Sequence, residues 1–228
     1  MKSIKQAVIP LGAKSGWPDY GELRYTLRAL DKYSDVDVLM ILGYKPTWIK
    51  NILHEPVPDC YKRNKDANLI NKVLYASTML TGDFIRLSDD QIILKEFDPQ
   101  HYYNRKHVLG SLNGKWYKRL DNTMKLIGNK DFYNYDTHMP VVINNRKFIK
   151  VAVSVPYGEG IGCCINSMYF NFLEEKGKKI PKGYDVTPAS VSAIKEDTYC
   201  LNIKDRCLTK EFKQWLDVEF PFKSKFEK

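Results

Sequence analysis

Strand-like and helix-like segments alternate through the first part of this chain, and that order limits the fold more than any other feature. QAVIPL at 6–11 reads as a short buried strand closed by Gly12, followed by AKSGWPDY, a loop punctuated by glycine and proline. GELRYTLRALDKY then carries Leu23, Leu27 and Leu30 at helical spacing, with Arg24 and Arg28 on another face. Asp19, three residues before Glu22, resembles a capping box with Asp in place of Ser or Thr. DVDVLMILG (35–43) alternates and then runs apolar, as a buried parallel strand does, and Gly43 and Pro46 close it. NILHEPV supplies a third short strand. DANLINKVLYASTML (66–80) is the second helix, with Asp66 as its expected N-cap and Leu69, Ile70, Val73 and Leu74 as its buried stripe. After the turn TGD comes the strand FIRL. The order β-α-β-(β)-α-β predicts an α/β fold, a mostly parallel sheet flanked by helices. In such sheets ligands bind beyond the carboxyl ends of the strands, which places Gly12 and Asp89-Asp90 on one edge.

From 95 to about 135 both periodicities weaken, and bases interleave with aromatics in HYYNRKH, GKWYKRLDNTMK and FYNYD. Eight Lys and Arg stand against four Asp and Glu there. VVINNRKFIKVAV (141–153) reads as a strand, a polar turn and a further strand or helix start. CCINSMYFNFLEE (163–175) reads as a buried helix. TKEFKQWLDVEF (209–220) is the last helix, with Phe212, Trp215 and Leu216 inward, and PFKSKFEK is expected to be a loose tail.

A chain of 228 residues suffices for one large domain, and at this size about 70% of the unfolded surface is buried. Its 43% hydrophobic and 28% charged residues are ordinary for a soluble globular protein. No apolar run approaches the ~20 residues that cross a bilayer. The apolar stretch in MKSIKQAVIPLG is too short for a signal peptide, so the expected location is the cytoplasm, with no membrane partner. Cys60, Cys163, Cys164, Cys200 and Cys207 are odd in number and lack CxxC spacing, which argues against a zinc site or a disulfide framework and for reduced thiols. The net charge of +9 suits a polyanionic partner such as nucleic acid, anionic lipid or a phosphorylated substrate. A lysine-rich surface that only confers solubility has the same composition.

Ser88-Asp89-Asp90, in LSDDQIIL, interrupts an otherwise apolar stretch with two adjacent carboxylates. Carboxylates repel each other and resist burial, so the pair is either a surface turn or the holder of a cation. Hard cations such as Mg²⁺ and Mn²⁺ take a few carboxylates together with phosphate oxygens and water, and neutralise a leaving diphosphate.

The order of helix DANLINKVLYAS, short turn, apolar FIRL and then DD resembles the GT-A class of nucleotide-sugar glycosyltransferases, whose strand ends in a D-x-D motif. The helix start corresponding to theirs is Arg63-Asn64-Lys65-Asp66-Ala67-Asn68. Ser88 occupies the first Asp position of the motif, which makes Asp90 the better metal candidate and leaves Asp89 for the donor. GELRYTLRALDKY, KPTWI and DFIRLSDDQIIL are also similar to pieces of the Stealth-type capsule phosphotransferases. The same pieces occur in small phage-encoded glycosyltransferases, including those that glycosylate hydroxymethylcytosine in DNA. YDTHMPVVINNRKF (135–148) adds a fourth piece, and beyond 150 the resemblance ends.

The resemblance implies a GT-A-like (Rossmann-like) domain with a basic C-terminal portion. Residues 1–95 would form its nucleotide-sugar-binding half and 96–228 its acceptor-binding half. It implies sugar transfer from a nucleotide sugar, a UDP-sugar first among donors, with Mn²⁺ or Mg²⁺ at Asp90 and His138. Asp136 is either the general base for an acceptor hydroxyl or a turn cap; His138 either completes the metal shell or bonds locally before Pro140. Gly12, Lys14, Asp19, Glu22 and Arg24 are candidates for the donor pocket, with capping as the other role for Glu22 and a solvated helix face for Arg24. Lys65, Asp66 and Asn68 stand at a helix N-terminus, where anions are favoured. Tyr102, Tyr103, Arg105, Lys106, Trp116, Lys118 and Arg119 either contact duplex DNA, by phosphate neutralisation and base stacking, or form an ordinary acceptor lid. Resemblance and charge together imply modified bases of phage DNA as acceptor, the host cytoplasm then being the location. The alternatives are sugar-phosphate transfer onto a capsular polysaccharide and a non-catalytic DNA-binding module.

Overall fold

The computed structural model describes residues 3–12, 17–61, 64–207 and 209–228. The first half follows the sequence order closely: β1 (Gln6–Leu11), α1 (Gly21–Tyr33), β2 (Val38–Gly43), β3 (Leu53–Glu55), α2 (Lys65–Met79) and β4 (Asp83–Arg86). Then come β5 (Gln91–Ile93), β6 (Tyr102–Tyr103), α3 (Lys115–Ile127), β7 (Val141–Asn144), α4 (Asn145–Ser154) and α5 (Ile165–Phe172). The short strands β8 (Lys178–Lys179), β9 (Asp185–Val186) and β10 (Cys200–Asn202) precede the last helix, α6 (Lys210–Glu219).

The main sheet has the order β3-β2-β1-β4-β7. β3, β2, β1 and β4 are mutually parallel, and β7 runs antiparallel along β4 with Arg86 opposite Val141. Side chains alternate across a strand. Ala7, Ile9 and Leu11 of β1 meet Leu23, Leu27 and Leu30 of α1 on one face. Val8, Met40, Leu42 and Phe84 meet Ile70, Val73 and Ala76 of α2 and Phe148 and Val151 of α4 on the other. The result is a mixed, mostly parallel α/β sheet with helices on both faces.

The opposite side of α1 presents Tyr25 and Ala29 to a second sheet of order β5-β10-β9 and to Phe212 and Leu216 of α6. α1 is thus shared between two cores.

Four local expectations are corrected. No capping box forms at α1: Tyr20 is the N-cap, and Asp19, at φ 48, turns its carboxylate to Thr47 and Tyr44 instead. Asn64, not Asp66, caps α2, its side-chain oxygen accepting from Ala67 N–H at 3.0 Å. The stretch 115–127, where helical periodicity was too weak to read, is the amphipathic helix α3; only its narrow face around Leu120 and Thr123 is buried, against Phe132 and Cys164. The tail is docked, not loose. Phe226 joins the α1 core, and Glu227 takes hydrogen bonds from Arg28 Nε at 2.9 Å and Arg24 at 3.1 Å. Backbone bonds from Lys50 to Phe226 and from Lys228 to Trp48 fix it further.

Candidate functional site at the carboxyl edge of the sheet

β1 and β4 run side by side in one direction, so Gly12 and the acidic pair lie on the same edge of the sheet. The turn between β4 and β5 is pinned from both sides. Thr26 of α1 donates to the Asp89 carbonyl at 2.7 Å, and Ile203 N–H donates to the Asp90 carbonyl at 3.0 Å. Ser88 N–H donates to the Gln91 side chain at 2.9 Å. Burial, then Asp90, then Glu22 push the Asp89 carboxyl up to about 7. Burial also raises Asp90; its own backbone hydrogen bond, His138, Arg86 and Lys204 act against the rise. Like charges crowded in a poorly solvated place shift in this way.

On the α1 side of the pair, the Gly12 carbonyl accepts from Tyr20 Oη at 2.6 Å. Glu22 is buried. Asp19 accepts from Thr47 at 2.7 Å and Tyr44 at 3.2 Å, and its carbonyl accepts from Trp48 Nε1 at 2.7 Å. Arg24 points to the C-terminal segment, bonded to Glu227 and stacked 4.1 Å over the Trp48 ring. Lys14 lies outside the described residues.

On the β7 side, a cavity of about 180 Å³ opens between β4, α2, α3 and α5. Asp66, Trp116, Arg119, Asp136 and His138, distant in sequence, all line it. Arg119 holds Asp66 through two hydrogen bonds of 2.8 and 2.9 Å. Asp136 accepts from Asn166 N–H at 3.3 Å and from the N–H and hydroxyl of Ser167. It therefore serves as a cap for the N-terminus of α5. His138 is exposed, and its N–H donates to Asp185 at 3.0 Å. It works against the rise that burial causes in two carboxyls, Asp90 and Asp185.

Other expected contacts are engaged elsewhere. Asn68 clasps the Tyr61 backbone with both amide atoms, at 2.8 and 3.0 Å. Tyr102 donates to Asp98 at 2.6 Å, Arg105 donates to Tyr117 at 2.8 Å, and Lys106 pairs with Asp131. Tyr103 lines a separate cavity of about 530 Å³ with Tyr133, Tyr135 and Phe170. Lys65 and Lys118 are exposed, and with Lys115 and Arg119 they border a broad basic depression beside the first cavity.

Sequence reading passed over Arg86, Gln91, Asn166 and Asp185. Arg86 is 5% exposed, lines the cavity, and has no hydrogen-bond partner at Nε among the described residues. Burial lowers its pKa, against Asp136 and Asp90. The signal was present in FIRL, a charged residue in a strand apolar on either side. Asn166, buried in the same cavity, leaves its Oδ1 without a partner among the described residues. Asp185 sits in a short polar strand with nothing to mark it.

His138 bears electrostatically on Asp90, and no three His, Cys, Asp or Glu side chains gather as a metal shell among the described residues. All five cysteines are free. No helix among the described residues is long and apolar enough to cross a membrane. The arrangement defines an α/β protein with a cavity at the carboxyl edge of a mostly parallel sheet. No family model matches the chain, and no curated protein is found similar to it.

Proposed function

We propose that this protein is a nucleotide-sugar-dependent glycosyltransferase of GT-A-like architecture, assisted by Mn²⁺ or Mg²⁺. The observation that carries the reading is the acidic pair at the end of β4, with both carboxyl pKa values raised and Asp89 pushed up to about 7. Raised carboxyls at the carboxyl edge of an open α/β sheet favour a bound proton or a bound cation, and a divalent ion would supply the larger compensation.

Asp90 and His138 would hold such a cation, a carboxylate and an imidazole being donors that Mn²⁺ accepts. When bound, the ion supplies charge neutralisation to the departing diphosphate. The donor nucleotide lies on the α1 side, near Gly12, Asp19, Glu22 and Asp89, and the sugar enters the cavity on the β7 side. Trp116 offers the sugar a ring face, and Gln91 and Asn166 offer amides. Asp136 accepts three hydrogen bonds from the first turn of α5, which supports the capping role for it.

The acceptor is a hydroxyl on a modified base in duplex DNA. Support comes from the net charge of +9 and from the exposed Lys65, Lys115 and Lys118 beside the cavity. Incubating the protein with hydroxymethylated DNA, Mn²⁺ and a panel of nucleotide sugars, then weighing the nucleosides by mass spectrometry, tests it. A mass gain of one sugar on hydroxymethyldeoxycytidine is expected; an unchanged nucleoside with every donor rejects the reading.

A further inference from the structure

We infer that the cavity on the β7 side of the acidic pair binds an oxyanion, a phosphate or carboxylate borne on a small hydroxylated ligand, and that Arg86 grips it. Three observations converge. Arg86 is buried on β4 on the same face as Phe84, lines the cavity with Asp66 of α2 and Asn166 of α5, and its Nε finds no acceptor among the described residues. A guanidinium offers five N–H donors in a fixed fork and stays charged, so burying one without an acceptor is unfavourable unless a ligand supplies the oxygens. Asp136 and Asp90 bear on its charge, but neither accepts from its Nε among the described residues; Asp136 accepts from Asn166 and Ser167, and Asp66 accepts from Arg119.

The second observation is Asn166. Its Oδ1 is buried and unpartnered among the described residues, and Asn166 lines the same cavity, so a turn of the amide toward the cavity would let it accept from a ligand hydroxyl. A free buried donor and a free buried acceptor in one small space describe a ligand with an anion at one end and a hydroxyl at the other. The third is size. About 180 Å³ is room for roughly six waters at ~30 Å³ each, or for one sugar ring with its charged substituent, and excludes a nucleic-acid strand. That the ligand is a sugar rests on the glycosyl-transfer reading; the anion site rests on Arg86 alone.

Isothermal titration of the full chain with inorganic phosphate, glucose 1-phosphate, glucuronate and glucose tests this. At least one anionic sugar is expected to bind tenfold or more tightly than glucose. Preference for glucose 1-phosphate assigns the anion as phosphate, and preference for glucuronate assigns it as carboxylate. Arg86→Met is expected to lose at least tenfold of that affinity, while its ligand-free melting temperature stays close to that of the wild type, because the burial of the guanidinium and its attraction to Asp136 and Asp90 oppose each other. Arg86→Lys keeps the charge but not the fork, and should fall between; it decides the matter if Arg86→Met does not fold. Anion binding unchanged in the variants, or no anion preferred over glucose, overturns the proposal. Phosphate binding that depends on Arg86 but gains nothing from a sugar ring supports the anion site and counts against the sugar reading.

Discussion

Arg119 of α3 closes on Asp66 of α2 with hydrogen bonds of 2.8 and 2.9 Å, and this pair forms one wall of the cavity. It joins a helix from the first half of the chain to one from the second. Burial raises the Asp66 carboxyl, and Arg119 works against that rise. The guanidinium side chain is 34% exposed, so its attraction is partly screened by solvent. Arg119→Ala is expected to cost about 1 kcal/mol. In a chain of this length that lowers Tm by about 2–4 °C, read by thermal denaturation.

Glu227 makes a stronger prediction. Its side chain is fully buried between Arg24, Arg28 and the Ser224 backbone. Burial raises its pKa, but the Arg28 hydrogen bond, Ser224 N–H and Arg24 outweigh it and hold the carboxyl below the usual range. A depressed acid contributes stability above its unfolded pKa and loses it as pH falls through the folded value. Glu227→Ala leaves the mostly buried Arg28 without its carboxylate, and should cost about 3–5 kcal/mol by urea denaturation at pH 7. The gap between wild type and variant should narrow as pH drops below about 4.

Asp89 works in the opposite sense. Its folded pKa, about 7, lies above the model-peptide value of 3.8, so the folded state holds the extra proton and stability is lost as pH rises through that window. Asp89→Asn should therefore stabilise the metal-free protein at pH 8 by more than about 1 kcal/mol and change it little at pH 4. Added Mn²⁺ should raise the wild-type Tm more at pH 8 than at pH 5.5. A Mn²⁺ response that ignores pH, measured by differential scanning fluorimetry, counts against a cation at the acidic pair.

Under the proposed reading, Asp90 and the lysines of α3 would separate sugar transfer from DNA binding. Asp90→Ala should reduce sugar transfer by about 10²–10³-fold while leaving duplex affinity intact. The double change Lys115→Glu and Lys118→Glu should weaken duplex binding and reduce the slope of log affinity against log salt by about 2, measured by fluorescence anisotropy. Sugar transfer that survives Asp90→Ala sinks the metal assignment.

How much of this was legible beforehand depended on the range of the interaction. Leu23, Leu27 and Leu30 could be read as the buried face of α1, and β1, β2 and β4 as parallel strands, because helical and strand periods are set by near neighbours. The acidic pair at the sheet's ligand edge followed from the same local order. The partners of the charges did not. Arg24 and Arg28 look alike on a helical face until Glu227, some two hundred residues away, folds back onto both. Asp66 looks like a cap until Asn64 takes that position and Arg119 arrives. Arg86 stands in a strand read as apolar, and only the assembly of α2, α3 and α5 around it encloses it with no acceptor for Nε. Apolar burial is non-directional and set by pattern, so sequence alone determined the layered α/β frame. Hydrogen bonds and ion pairs need particular atoms within about 3 Å, so tertiary structure alone decided which polar groups are satisfied and which remain open to a ligand.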